Sequence, residues 1–385
     1  MFKPVVLEDV TGGSGKATNL CVLVYGLWGN PTHMRNVAKV LRDKYSEERL
    51  YILPAEKNCG NFTYDGIEIG GERVCAEIEA KLRSIKEQGG KITKLSMAGY
   101  SLGGLVSRYA VGLLDAKGIL GDLECMNVPT FAISHLGVRT PLKGWLNNVR
   151  NVLGARTLSM SGRQLFTIDK FRDTNRPLLA VLADPDSMFM SGLKKFKRRT
   201  LYTNIANDRS VLHYTSAITK YDPYTDLEKI NLNYLEGYED APLKNYKALK
   251  KWFKNILFMA TVGIIMPIGL AVFLVYSAAQ TTWSAIRINA HESGEAGFED
   301  RAVPHVPANS GGSRRSQASL RGLQQLTEPA LDMIENLSGA GWRTCPVHIQ
   351  KHRHSHAAIV VRMDKKGFVD GWVVLRHFDG SEFVM

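Results

Sequence analysis

The chain contains 385 residues, of which 44% are hydrophobic and 22% charged, and its 49 Lys and Arg against 37 Asp and Glu give a formal net charge of +12. This composition excludes a chain that is disordered as a whole, and the length permits one large α/β domain or two smaller ones. The positive charge is compatible with three interpretations: a protein that binds nucleic acid, one that binds an anionic membrane surface, or a basic protein with neither partner.

Cysteine usage and the first residues indicate the compartment. The five cysteines are scattered and include no Cys-x-x-Cys pair, so neither a disulfide framework nor a thiolate zinc site is indicated. The first residues, MFKPVVLEDV, contain no apolar h-region. We therefore expect no cleaved secretory signal and a location that faces the cytosol.

The first half of the chain alternates predicted strands and helices. Short apolar runs predict strands, and apolar residues spaced three or four apart predict helices. This alternation predicts an α/β fold with a mostly parallel central sheet and helices on both faces. The predicted strands are 20–25, 50–53, 92–98, 129–134 and 200–206, and the predicted helices are 32–45, 72–87, 102–114, 178–182 and 188–196.

The second half divides differently. Residues 145–199 show no clear strand, which is typical of a cap over a cleft. We interpret residues 1–240 as the first part of the core, 241–322 as an insertion and 323–385 as the last part of the core. The insertion holds a basic run, an apolar segment at 256–279 and a flexible linker at 289–322. In the last part, the residue pattern predicts a helix that ends near 337 and strands at 346–349 and 357–363.

A G-x-S-x-G sequence, GYSLG at 99–103, follows a predicted strand and precedes a predicted helix. This is the context of a nucleophile elbow, in which the serine lies on a sharp turn where flanking Cβ atoms would collide with neighbouring elements. We therefore interpret Ser101 as a nucleophile rather than as a fortuitous turn serine.

Acyl transfer needs hydrogen-bond donors for the developing oxyanion. The amide of Leu102, next after the serine, is one candidate. The second is the amide of Leu27 in the loop YGLWGN after the first predicted strand. By itself, however, that loop is also compatible with an ordinary Gly-rich turn.

Several separated motifs now resemble the fungal lipase-like serine esterases. They are VLVYGLWGNPTHM, AGYSLGGLVSRYAVG, ISHLGVRTP, NIANDRSV and HSHAAIVVR. This α/β-hydrolase family includes lipid-droplet phospholipases and acylglycerol lipases, so the resemblance implies an α/β-hydrolase fold and lipid-ester hydrolysis. One departure is Tyr25, which stands where the family usually has a histidine that organises the oxyanion loop.

A nucleophilic serine needs a base and an orienting carboxylate, in the order Ser, Asp, His along an α/β-hydrolase chain. Asp208 follows the strand at 200–206, at a carboxyl end where active-site loops gather, and it matches the family motif. The alternative for Asp208 is a turn aspartate. For the base, the resemblance points to His356, with His354 as the close competitor.

The same histidine cluster raises the alternative of a zinc site, because closely spaced histidines bind zinc. The cluster comprises His348, His352, His354 and His356, with no carboxylate or cysteine at ligand spacing. We therefore expect no metal and no organic cofactor.

The apolar segment 256–279 contains 24 residues without Asp, Glu, Lys, Arg or His, more than the roughly 20 needed to cross a bilayer. Ser101 and Asp208 precede it and His356 follows it, so a single span would separate the nucleophile from the base. The remaining options are a membrane-inserted hairpin, an interfacial segment or a long core helix, and Pro267 at the middle of the segment favours the hairpin. The lysines before it suit an anionic head-group surface.

We therefore predict a serine hydrolase that cleaves lipid esters, a phospholipase or acylglycerol lipase, at a lipid droplet or the endoplasmic reticulum. Its expected partners are a lipid ester and an anionic membrane or lipid-droplet surface. The alternative, motivated by Tyr25, is a catalytically impaired membrane-associated scaffold on the same fold. A nucleic-acid partner is disfavoured because no DNA- or RNA-binding motif accompanies the basic runs.

Overall fold

The computed structural model describes residues 6–139, 157, 159–236, 238, 256–293 and 328–385, with the backbone alone for 256–267. Within these residues the centre of the molecule is a seven-stranded sheet, in which β4 pairs with the start of β3 and the other strands lie in the order β2-β1-β3-β5-β6-β7. All of these pairs are parallel. The strands are β1 Asn19–Val24, β2 Leu50–Pro54, β3 Lys94–Tyr100, β4 Glu124–Cys125, β5 Asn127–Phe131, β6 Arg198–Asn204 and β7 Arg343–Val347.

Helices connect the strands, as parallel pairing requires. The first and third helices begin and end within three residues of the predicted bounds, and the second begins five residues earlier than predicted. The helices are α1 Arg35–Lys44, α2 Ile67–Glu87, α3 Leu102–Ala116, α4 Ser159–Leu165, α5 Leu178–Leu182, α6 Met188–Lys194, α7 His213–Ser216, α8 Ile256–Glu292, α9 Glu328–Ser338, α10 Ser355–Ala358 and α11 Val369–His377.

Both faces of the sheet are covered. One core joins side chains of α2, α3, α5, α6 and α9 to the sheet. The other joins α1, α10 and α11 to the opposite face. Strands buried on both faces are apolar along nearly their whole length rather than alternating; all six residues of β1 are buried, and the five after Asn19 are apolar. The predicted α/β class with a mostly parallel sheet is therefore confirmed.

The predicted strand at 357–363 is wrong. Its first residues belong to α10 and the rest form a turn. Residues 357 to 361 are all buried in the second core. A short apolar run that is buried on every side has no periodicity that separates a strand from a helical turn.

The hairpin at 256–279 is also wrong. The backbone is helical from Ile256 to Glu292 and passes through Pro267 without a turn. The alternative of a core helix fails as well over residues 268–276, the described part of the segment that is exposed, because Ile268, Val272 and Val275 face solvent. No helix over the described residues combines the length and hydropathy needed to cross a membrane. The linker predicted at 289–322 is wrong at its start, because residues 289–292 belong to the helix, and its residues from 294 on lie outside the described residues.

Candidate active site

The turn between β3 and α3 holds Ser101. Ser101 has a φ of 54°, and its amide donates to the carbonyl oxygen of Phe131 at 3.0 Å. A Cβ at Gly99 would lie 2.4 Å from the Cα of Gly104, and one at Gly103 would lie 2.3 Å from the carbonyl oxygen of Tyr25. Both distances are far inside van der Waals contact, so the two glycines of the motif are required by close packing around the turn.

The structure brings Ser101, His356 and Asp208 together from three distant parts of the chain. The Nε2 atom of His356 lies 3.0 Å from the Oγ atom of Ser101. Its Nδ1 atom lies 3.0 Å from Oδ2 of Asp208. His356 belongs to α10, and Asp208 follows β6 at the carboxyl edge of the sheet. This is the hydrogen-bonded order of a nucleophile, a base and an orienting carboxylate.

Asp208 is held as a carboxylate. Its side chain is 3% exposed and accepts hydrogen bonds from the amides of Ser210 and Val211 and from the side chain of Asn204, each at 2.9 Å. Burial raises its pKa, but His356 and the bonds from Val211 and Asn204 outweigh burial, so the pKa of Asp208 is lowered. Because an ionised carboxylate only accepts, His356 carries its proton on Nδ1, and Nε2 is left to accept from Ser101.

Tyr100 is a positioning residue that the sequence did not indicate. Its hydroxyl donates to the carbonyl oxygen of His356 at 2.9 Å, and the two rings lie 5.1 Å apart. Tyr100 therefore supports the base from the residue directly before the nucleophile. The only sequence signal for Tyr100 was its position directly before the serine of the G-x-S-x-G motif, and the motif accepts many residue types at that position.

The loop after β1 lies beside Ser101, as the sequence predicted for the oxyanion donors. Its Trp28 amide donates to Oγ1 of Thr63 at 3.0 Å, and its Gly29 amide donates to the carbonyl oxygen of Gly26 at 3.0 Å. Two of the loop amides are thus engaged in holding the loop. Leu27, and Leu102 at the start of α3, remain the predicted oxyanion donors.

Tyr25 lies beneath this loop. It is buried, its hydroxyl reaches the carbonyl oxygen of Glu56 at 3.4 Å, and burial followed by Cys59 raises its pKa. A Cβ at Gly29 would lie 2.6 Å from the ring of Tyr25. Tyr25 therefore supports the loop by ring packing.

The competing histidines lie apart from the nucleophile. His354 is exposed, and its amide donates to Nδ1 of His352 at 3.0 Å. His352 packs edge-on against the ring of Phe368, and His348 lies 2.7 Å from the hydroxyl of Tyr234. His352 and His354 therefore contact each other, His348 contacts Tyr234, and His356 alone of these four contacts Ser101.

Another group of ligand-type side chains lies together within the described residues: Cys345, His377 and Glu382. Glu382 accepts from Arg343 at 2.8 Å and from Thr200 at 2.9 Å. Burial raises the pKa of Cys345 to about 11, so its thiol is protonated near neutral pH and is a poor ligand. These contacts describe a structural ion-pair cluster.

A family model described as "Putative serine esterase (DUF676)" matches residues 14–219 of the chain. Among similar curated proteins, "Putative lipase ROG1" of Saccharomyces cerevisiae is 25% identical over 237 residues, which are 60% of this chain and 33% of that protein. "Putative lipase YDL109C" of the same yeast is 32% identical over 142 residues, which are 36% of this chain and 21% of that protein. The chain thus covers a third or less of the length of these relatives.

Solved structures also resemble the chain. A lipase-esterase related protein from Clostridium acetobutylicum is 14% identical, with a TM-score of 0.32 over 54% of this chain and 83% of that one. An α/β hydrolase family protein from Desulfitobacterium hafniense is also 14% identical, with a TM-score of 0.26 over 50% of this chain and 78% of that one.

Proposed function

Because the chain belongs to the family described as putative serine esterase (DUF676), we propose that it is a serine hydrolase that cleaves carboxylic esters of lipids through Ser101, His356 and Asp208. The observation that carries the proposal is the continuous hydrogen-bonded chain from Oγ of Ser101 through His356 to Asp208, with both distances at 3.0 Å.

In the acylation step, Oγ of Ser101 attacks the ester carbonyl carbon while its proton passes to Nε2 of His356. The carbonyl oxygen becomes an oxyanion that accepts hydrogen bonds from the amides of Leu27 and Leu102. The tetrahedral intermediate collapses as the bond to the alcohol oxygen breaks. His356 gives its proton to the departing alcohol, and the acyl group remains on Ser101 as an ester.

Deacylation repeats these steps with water as the nucleophile. His356 removes a proton from water, the hydroxide attacks the acyl carbon, and the carboxylic acid leaves as the proton returns to Ser101. In both steps Asp208 stabilises the imidazolium that forms and holds the ring in orientation.

The substrate class, a phospholipid or an acylglycerol, is supported by the family resemblance and by the relatives named as lipases. The apolar segment near the site suits a substrate that is itself embedded in lipid. We place the activity at a cytosol-facing lipid surface, either a lipid droplet or the endoplasmic reticulum.

The test is covalent labelling with a fluorophosphonate probe. We expect wild-type protein to label and Ser101→Ala to lose labelling, with ester hydrolysis falling by about 10⁶-fold because the nucleophile is gone. His354→Ala is the matched control and retains labelling, since the exposed His354 does not contact Ser101 in this geometry. Hydrolysis of a panel of phospholipids and acylglycerols then assigns the substrate.

The same experiment tests the second candidate, a catalytically impaired scaffold, which Tyr25 in the family's histidine position motivates. If wild-type protein and Ser101→Ala are equally unlabelled, the scaffold replaces the hydrolase.

A further inference from the structure

Helix α8 buries polar side chains and exposes apolar ones. Its buried side chains recur every seven residues, at Ser277, Ser284 and His291. Residues 271 to 276, more than a full turn, are all exposed, with Val272 65% and Val275 72% exposed. A helix that packs on a protein in water has the opposite arrangement.

An ion pair and hydrogen bonds attach the buried side of α8 to the segment before α2. Asp65, whose side chain is fully buried, receives Arg73 at 2.7 Å and Arg287 at 2.6 Å, and Ser284 donates to it at 2.8 Å. His291 forms a further hydrogen-bond contact with Glu72 of α2. These directional contacts give α8 one orientation on the core, and the apolar side chains at 268 and 270–275 are exposed rather than part of the attachment.

This attachment lies next to the mouth of the active site. Thr63, two residues before Asp65, accepts the amide of Trp28 in the oxyanion loop. The ring of Trp28 packs near Tyr64, with centroids 6.3 Å apart, while Trp28 itself stays 50% exposed. The guanidinium of Arg287 lies over the ring of Phe62 at 4.9 Å, and Phe62 is also exposed.

We define the lipid-docking face as the exposed apolar side chains of Trp28, Phe62, residues 268–276 and Trp283. This surface joins the mouth of the site to the free side of α8, and contiguous exposed apolar surface of this kind marks an interaction site. In the sequence, five lysines directly precede α8: Lys244, Lys247, Lys250, Lys251 and Lys254. An apolar helix next to a basic run is complementary to an anionic lipid surface.

We propose that the lipid-docking face binds an anionic lipid surface. The contacts of Asp65 with Arg287 and Ser284 hold α8 in place, so that this binding brings the mouth of the Ser101 site, next to Trp28, against the lipid. The proposal rests on the proposed function, because it names the surface from which that site takes its ester. It replaces the inserted hairpin with a continuous helix lying at the interface.

The first test is flotation of full-length protein with phosphatidylcholine vesicles that contain phosphatidylserine, in a Ser101→Ala background that prevents hydrolysis. We expect Val272→Asp/Val275→Asp to lower the vesicle partition coefficient by about a hundredfold or more, because two exposed apolar side chains that would enter the lipid become charged. Leu331→Asp, at an exposed apolar position of α9, is the matched control and floats like its parent.

The second test asks whether the mouth of the site takes part. Vesicles with brominated acyl chains quench the emission of tryptophans that enter the lipid. We expect the quenched fraction to fall in Trp28→Phe and in Trp283→Phe. It does not fall in Trp342→Phe, because Trp342 packs against His135 and the loss of an unquenched tryptophan cannot lower the quenched fraction.

Equal flotation of the double variant and its parent would overturn the proposal, as would equal binding to vesicles of phosphatidylcholine alone. Unchanged quenching in Trp28→Phe would show that Trp28 does not enter the lipid, and would contradict the part of the proposal that places the mouth of the site against the lipid. If the parent protein is a dimer that does not float, and the double variant is a monomer, the face binds a second copy of the chain instead of lipid. Flotation needs no catalysis, so failure here and failure of fluorophosphonate labelling are separate results.

Discussion

The surroundings of Asp208 differ from those of an ordinary turn aspartate. Four groups donate to one buried carboxyl: His356, Asn204 and the amides of Ser210 and Val211. An aspartate that only capped a turn would need the two amides alone. The additional bond to His356 is the one that the proposed triad requires of Asp208.

We therefore expect Asp208→Asn to lower the rate of fluorophosphonate labelling and kcat by about 10⁴-fold, because an amide favours the wrong tautomer of His356. The matched control is Asp173→Asn, at an exposed aspartate of the same chain, with a rate close to wild type. A Asp208→Asn rate within about tenfold of wild type would remove Asp208 from the proposed triad.

Some residue-level features could be predicted from the sequence and others could not. Ser101 was visible because a nucleophile elbow requires glycines at fixed offsets. His356 and His354 differ by only two positions in sequence, and local patterns do not distinguish them. The fold separates them, because α10 turns His356 towards Ser101 and leaves His354 exposed.

At the scale of elements, the packing of α3 against β1 determines how Ser101 is presented. The first turn of α3 lies so close to the end of β1 that Gly103 faces the carbonyl oxygens of Val24 and Tyr25. The elbow is therefore a tertiary contact between two elements as well as a local turn.

We expect Gly103→Ala to destabilise the protein by about 1–3 kcal/mol or to displace the elbow, because its Cβ would meet backbone atoms that cannot move independently. The control is Gly121→Ala, where a Cβ meets nothing within 4 Å and the change stays within about 0.5 kcal/mol. Thermal unfolding together with labelling of Ser101 measures both effects. Equal melting temperatures and labelling rates for the two variants would contradict the packing argument.

Helix α8 shows where an element could not be predicted. Its composition indicated contact with lipid, but Pro267 suggested a turn at a place where the backbone stays helical. Proline removes one helical hydrogen bond and does not by itself reverse the chain. The polar contacts that dock α8, such as Arg287 with Asp65, join residues 222 positions apart, and no local pattern signals them.

At the scale of the whole molecule, buried histidines link stability to pH. His135 is fully buried, and burial followed by the nearby Arg108 lowers its pKa well below the usual value of 6.5. The unfolded chain therefore binds more protons than the native state below about pH 6.5. The contribution of His135 to stability is complete above that pH and is lost as the pH falls towards its lowered native pKa.

We expect His135→Gln to make the free energy of unfolding less sensitive to acid than in wild type, by at most about 1.4 kcal/mol for each pH unit below about 6.5. Denaturant unfolding at a series of pH values measures the difference in slope between the two proteins, whatever their absolute stability. His354→Gln, at an exposed position, is the control and keeps the wild-type slope. Parallel pH profiles for His135→Gln and wild type would contradict the linkage.

The sequence alone determined the α/β class, the strand and helix order of the first half and the family, because each depends on local periodicity or on short motifs that survive without their surroundings. It also indicated Ser101 and Asp208 and narrowed the base to His356 or His354. Only the tertiary structure decided which of these lie within 3.0 Å of one another, how Tyr25 and Tyr100 support them, and which side of α8 faces the core. Those features depend on contacts between residues hundreds of positions apart, and the energy that selects them exists only once the sheet has assembled.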